Sequence, residues 1–113
     1  MTEIQLSGEF GKEFAKLQQK TEKGDSDAEY LLKLIDRGIA KLVKNSESGQ
    51  KIQKKLFPKY YKDKYEISNL WRLRLDASWR MIYTIIGDRT RIVGVILEVL
   101  DHKKYDRRFG YKE

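Results

Sequence analysis

The sequence contains no cysteine, a single proline (Pro58) and a single histidine (His102). Without cysteine it can form neither a disulfide framework nor a thiolate metal site. One histidine argues against a His-rich metal centre as well. No apolar run approaches the length of a membrane span, and the opening residues, MTEIQLSGEF, lack the basic-then-apolar order of a secretory signal. A cytoplasmic protein with no membrane partner, no metal and no cofactor is therefore expected. Repeats and low-complexity tracts are also missing.

What is present suffices for one folded domain over residues 1–113. Hydrophobic residues make up 40% and aromatic residues 12%, so the composition is not that of a disordered chain. The net charge of +7 is unevenly spread. Residues 1–49 carry 8 basic and 9 acidic side chains, residues 50–80 carry 9 and 3, and residues 81–113 carry 7 and 5. The positive field thus belongs to the C-terminal two-thirds. Such a patch is the usual footprint of a polyanion partner, although a solvated lysine-rich surface produces the same count.

The order of elements is legible in outline. Ile4 and Leu6 alternate as in a short strand. Ser7 is placed to cap a helix with Phe10, Phe14 and Leu17 at i, i+4 and i+7, and Gly24 ends it. Ser26 and Glu29 read as a capping box ahead of a longer helix whose apolar face is Leu31, Leu34, Ile35, Ile39 and Leu42. Two consecutive helices with a short connector predict an antiparallel helical hairpin. The segment QKIQKKLFPKYYKDKYEIS cannot be one regular helix, because Pro58 lies in its middle. Its alternation of basic and aromatic residues suits backbone neutralisation with base stacking. It suits equally a connector pinned to the core by Leu56, Phe57, Tyr60 and Tyr61. Three β-rich runs follow, LWRLRLD, SWRMIYTII and TRIVGVILEVL, the last two joined by a turn at Gly87-Asp88-Arg89. The tail, DHKKYDRRFGYKE, is short, basic and rich in tyrosine.

These patterns predict an α+β domain, an antiparallel sheet with the helical hairpin on one face. In the first run Trp71, Leu73 and Leu75 share one side and Arg72 and Arg74 the other. The arginine face should be open or only partly covered. Residues two apart on a strand stand roughly 7 Å apart, close to the spacing of phosphates along a nucleic-acid strand. Arg72 and Arg74 could hold neighbouring phosphates through forked, bidentate bonds. An exposed polar sheet face would also carry arginines. Whether Arg80 joins them depends on the turn Asp76-Ala-Ser, whose geometry the sequence leaves open.

The stretches Trp71-Arg72-Leu73-Arg74-Leu75, Trp79-Arg80-Met81-Ile82-Tyr83 and His102-Lys103-Lys104-Tyr105, in this order of elements, resemble the RelE/ParE superfamily of type II toxins. The resemblance spans nearly the whole chain and is stronger in the C-terminal half. It implies a microbial-RNase-like fold and, in the RelE branch, metal-independent cleavage of mRNA on the ribosome by attack of a ribose 2′-OH on the adjacent phosphate. Carried onto matching positions, it makes Arg80 the stabiliser of transition-state charge, with His102, Lys103 and Tyr105 (or Tyr111) as the remaining catalytic set. Arg72 and Arg74 fall where the family has phosphate-binding or proton-transferring basic residues. Arginine almost never deprotonates, so a lysine-type base is not available there. Lys54, Lys55, Arg107 and Arg108 are expected to extend the RNA contact. The resemblance also implies a cognate antitoxin as partner. A ParE-like gyrase-inhibiting toxin and a non-catalytic RNA- or ribosome-binding module are the alternatives.

Overall fold

The computed structural model describes residues 2–110. Strand β1 (Glu3–Leu6) leads into helices α1 (Gly8–Glu22) and α2 (Ser26–Lys44). A two-residue strand β2 (Gln50–Lys51), a 3₁₀ turn (Lys54–Leu56) and helix α3 (Lys59–Lys64) follow. Strands β3 (Trp71–Arg74), β4 (Trp79–Gly87) and β5 (Ile92–Asp101) come next, and helix α4 (His102–Phe109) closes the chain. The strands form one sheet in the order β1-β5-β4-β3-β2. The α+β class is as predicted, but the sheet is mixed, because β1 runs parallel to β5 with Ile4 beside Gly94 and Leu6 beside Ile96. Alternation of apolar residues identifies a strand without fixing its direction. The long stretch of chain between them, which includes α1 and α2, gives ample length for the crossover a parallel pair requires.

Both faces of the sheet are packed. Helices α1 and α2, which contact each other, cover one face, where Phe10, Ile35, Leu42, Trp71, Leu73, Met81, Tyr83 and Ile96 form a core. The opposite face carries a second core of Ile52, Phe57, Tyr61, Leu70, Ile82, Leu97, Leu100 and Tyr105. An irregularity between Ile82 and Tyr83 lets one strand serve both. Ile82 pairs with Glu98 and Tyr83 with Ile96, so Leu97 is an extra residue and consecutive Ile96 and Leu97 enter different cores. The arginine face is thus partly covered, with its open end at the β3–β4 turn.

Local signals explain the boundaries. The Ser7 hydroxyl accepts from the Phe10 amide at 3.1 Å, the expected cap. The cap of α2 is Asp25, not Ser26: its carboxylate accepts from the Ala28 amide at 3.0 Å. Both residue types cap well, and the aspartate stands one position earlier. Pro58 divides the connector as expected, with a 3₁₀ turn before it and α3 after it. The tail is helical. Asp101 caps it through the Lys104 amide at 2.9 Å, and Gly110 ends it at φ +75°.

One polar cluster fixes α3 and α4 to the sheet. Glu98 of β5 accepts from the Tyr61 hydroxyl at 2.6 Å and from Arg108 through a fork of 3.0 and 2.9 Å. The Arg108 guanidinium lies 3.6 Å above the centre of the Tyr60 ring. Burial, followed by the Glu98 contact, holds the Tyr61 phenol well above its ordinary range.

Gly87 occupies φ +110°, and a Cβ there would collide with the Arg91 carbonyl. Gly87→Ala should therefore lower stability by about 1–3 kcal/mol or more. Gly11→Ala, inside α1 with open space around the new methyl group, should be neutral or add up to about 1 kcal/mol. Chemical denaturation of the two variants beside the parent tests this pair.

Candidate functional site

The β3–β4 turn determines where the arginines go. The Leu75 amide donates to the Trp79 carbonyl at 2.9 Å. The Asp76 carboxylate accepts from the Ser78 and Trp79 amides at 2.8 and 2.7 Å. This closure sets Arg74 directly opposite Arg80 and Arg72 opposite Ile82. Alternation then puts all three arginines on one side of the sheet. They line a cleft of about 570 Å³ together with Ser48, Gly49, Gln50, Leu73, His102, Tyr105 and Asp106.

Each guanidinium is held. Arg72 donates to Gln50 Oε1 at 3.0 Å and to the Tyr105 hydroxyl, joining the rim strand β2 to α4. Arg80 donates to the main-chain carbonyls of Asp76 and Trp79 at 2.9 and 3.1 Å, and Arg74 to the same Asp76 carbonyl at 3.2 Å. Arg74 and Arg80 thus direct these bonds to neutral carbonyls rather than to carboxylates. Neither is in a salt bridge among the described residues, although the Asp76 carboxylate lies near enough to feel the Arg80 charge. Among the described residues, the three arginines face a single lining carboxylate, Asp106.

Helix α4 distributes the basic tail by its periodicity. His102, Tyr105 and Asp106, at i, i+3 and i+4, face the arginine cleft. Lys104, Arg107 and Arg108, two residues further round, face a separate groove beside α1. Of the eleven residues singled out from the sequence, Arg72, Arg74, Arg80, His102 and Tyr105 come together. Lys103 is exposed on α4 outside the cleft lining. Lys54 and Lys55 are exposed on the 3₁₀ turn, also apart from it. Arg107 lies in the second groove, and Arg108 is bonded to Glu98. Tyr111 falls outside the described residues.

Ser48, Gly49, Gln50 and Asp106 are cleft residues that the sequence patterns do not single out. Gly49 has a visible reason, since a Cβ there would meet the Arg72 carbonyl and the Tyr83 hydroxyl. Only glycine lets this wall approach β3 so closely. Tyr83 fixes the wall by donating to the Ser46 carbonyl at 2.8 Å and accepting from the Gly49 amide at 3.0 Å. The signals for α4 do stand in the sequence: Asp101 as a cap, Tyr105 and Phe109 four apart, and Gly110 as a stop.

Comparison with known proteins places the chain in the RelE/ParE superfamily of toxins. A solved structure described as a YoeB/ParE toxin from Agrobacterium tumefaciens superposes with a TM-score of 0.59 at 12% identity, covering 89% of this chain and 99% of that one. At that identity the likeness is one of fold. Residues 4–104 match the family described as the ParE toxin of the type II toxin-antitoxin system, parDE. The chain belongs to this family and is a toxin of a type II toxin-antitoxin system, a class of protein that pairs with a cognate antitoxin. No protein of curated function matches the sequence significantly.

Burial pushes the Tyr83 phenol up to about 12, above the value near 10 of an unfolded tyrosine. Between these values the unfolded chain releases the proton and the folded one retains it. The stabilisation is therefore complete below about pH 10 and is lost as pH rises through 12. Denaturation midpoints measured across this range should fall, and Tyr83→Phe should shallow the fall. An equal slope in the variant would assign the alkaline loss to other groups.

Proposed function

We propose that the arginine cleft binds single-stranded RNA and cleaves it, the protein acting as a ribosome-dependent mRNA endonuclease. The observation that carries this reading is the convergence of Arg72, Arg74, Arg80, His102 and Tyr105 on one cleft. A ribose 2′-oxygen attacks the adjacent phosphorus, the bond to the 5′-oxygen breaks, and a cyclic phosphate and a 5′-hydroxyl end result. One group takes the proton of the 2′-hydroxyl and another supplies one to the 5′-oxygen. Arginine does neither at neutral pH. His102 and Asp106 on the cleft face of α4 are the proton carriers, and Tyr105, bonded to Arg72, helps to orient the phosphate. Arg80, restrained by two carbonyls, offers charge to the crowded phosphorane without reorganising. Lys103, Lys54, Lys55 and Arg107 contribute a peripheral positive field. Arg108, already engaged by Glu98, supports α4 instead.

A second reading, inhibition of DNA gyrase without RNA chemistry, is favoured by the ParE family match. Primer extension on ribosome-bound mRNA separates the two: new 5′ ends support the nuclease. Inhibited supercoiling with intact mRNA supports the gyrase inhibitor. The cytoplasm, where both targets lie, is the proposed location.

For the nuclease, Arg80→Ala should lower the cleavage rate at saturating ribosome about 100- to 1,000-fold with an unchanged melting curve. Arg72→Ala and Arg74→Ala should act mainly on binding. Parent-like cleavage by Arg80→Ala would remove the arginine from the chemistry.

Salt gives an independent measure. Each phosphate contact on a single strand contributes roughly −0.7 to the slope of log affinity against log salt, so three arginines predict about −2. Arg74→Ala should make the slope shallower by about one such increment. A flat salt dependence in the parent would exclude this cleft as the contact surface.

A further inference from the structure

Tyr30 is an unexplained residue of α2. Among the described residues it is the most exposed of the large apolar side chains, 52% accessible, so its ring adds little to the core. Its hydroxyl nevertheless crosses 46 positions of sequence to donate to Asp76 Oδ2 at 2.7 Å. The other oxygen of that carboxylate holds the Ser78 and Trp79 amides. The main-chain carbonyl of the same residue accepts from both Arg74 and Arg80. One residue therefore connects a helix on the far face of the sheet to the two opposed arginines of the cleft.

Two guanidinium groups directly opposite each other on neighbouring strands repel. Left to themselves they would separate into solvent. A carbonyl oxygen has two lone pairs and can receive one donor from each. Its aim depends on how the Asp76 peptide is tilted, and the Asp76 side chain sets that tilt. We propose that Tyr30 and Asp76 are positioning residues, which present Arg74 and Arg80 as a fixed pair to the phosphates of a bound polyanion. The proposal rests on the reading of the cleft as a phosphate-binding site. It adds α2 to the machinery, an element that contributes no lining residue. The tyrosine hydroxyl, both turn amides and the Arg80 charge outweigh the cost of partial burial and hold the Asp76 carboxyl below its usual range, so the residue stays ionised.

Tyr30→Phe removes one hydroxyl and keeps the ring. Two measurements test it. The first is the affinity for a single-stranded RNA oligonucleotide at fixed low salt, by fluorescence anisotropy, in the parent and in an Arg74→Ala/Arg80→Ala background. Tyr30→Phe should weaken binding about two- to tenfold in the parent, the equivalent of one hydrogen bond. It should change nothing where both arginines are gone. The second is the ¹⁵N-edited spectrum of the arginine side chains. The Arg74 Nε–H signal should be protected from solvent exchange in the parent and exposed in Tyr30→Phe, at an unchanged melting temperature. A merely structural hydroxyl would alter stability and leave that signal in place. The proposal is overturned if the signal is unmoved, or if RNA binding falls equally in both backgrounds. Should the parent fail to bind RNA, the nucleic-acid reading of the cleft falls, and the spectrum alone decides whether Tyr30 and Asp76 hold the arginines.

Discussion

The closure of the β3–β4 turn on Asp76 is the constraint from which the cleft follows. Strand pairing has a period of two, so a one-residue slip would turn Arg72 and Arg74 toward the α1–α2 core and Trp71 and Leu73 outward. The pairing of Arg74 with Arg80 is locally unfavourable, since like charges directly opposite cost a few tenths of a kcal/mol to about 1 kcal/mol. A sequence selected for stability alone would place an acid or a threonine at one of these positions. Conflict between a local rule and the fold marks a functional site more often than a defect. Here the fold accommodates it by giving both cations one carbonyl oxygen.

The second consequence concerns the rest of that face. A sheet face left entirely open would expose Ile82, Leu97 and Leu100. The connector and α4 cover them and stop short of the β3–β4 end. The Glu98, Tyr61 and Arg108 cluster holds that cover in place. A half-buried glutamate with a forked arginine and a phenol has its oxygens well satisfied, which a half-buried charge requires. Arg108, one of several basic residues in a tail that reads as uniformly basic, is thereby part of the scaffold. In the cleft Arg74 and Arg80 give their hydrogen bonds to carbonyls, while the scaffold arginine takes the carboxylate.

Much of this is legible from period and caps. The alternation Trp71, Leu73 against Arg72, Arg74 identifies the two faces. The 3.6-residue spacing of α1 and α2 identifies the apolar stripes that meet the first of them. Less is legible where short segments depend on tertiary partners. Strand β2 is two residues long and has no pattern of its own; Gly49 and Gln50 belong to the cleft only because β3 lies beside them. The direction of β1 leaves no trace in its alternation. The tail reads as a basic run because lysine and arginine fill its exposed positions, yet it carries a cap, two aromatics four apart and a glycine stop. Helical spacing alone separates His102 and Asp106 from Lys103, Lys104 and Arg107. Tyr30 leaves no such signal: no spacing connects it to a turn 46 residues away.

In the proposed nuclease, binding and proton transfer belong to different elements. The cations of the cleft come from β3 and β4, are all arginine, and are fixed in charge over any accessible pH. The proposed proton carriers, His102 and Asp106, come from α4, as does Tyr105. The sheet half is rigid because it is part of both cores. The helical half is attached through Asp101, Tyr105 and the Glu98–Arg108 fork. On the proposed reading, phosphate affinity rests on the sheet half and chemistry requires both halves. The same sheet could serve as a binding surface in a relative whose last helix carries no titratable pair. That division supplies a physical route by which one fold supports both a nuclease and an inhibitor that only binds. On the proposed reading, the cleft face of α4, rather than the arginine count, is the feature to compare between them.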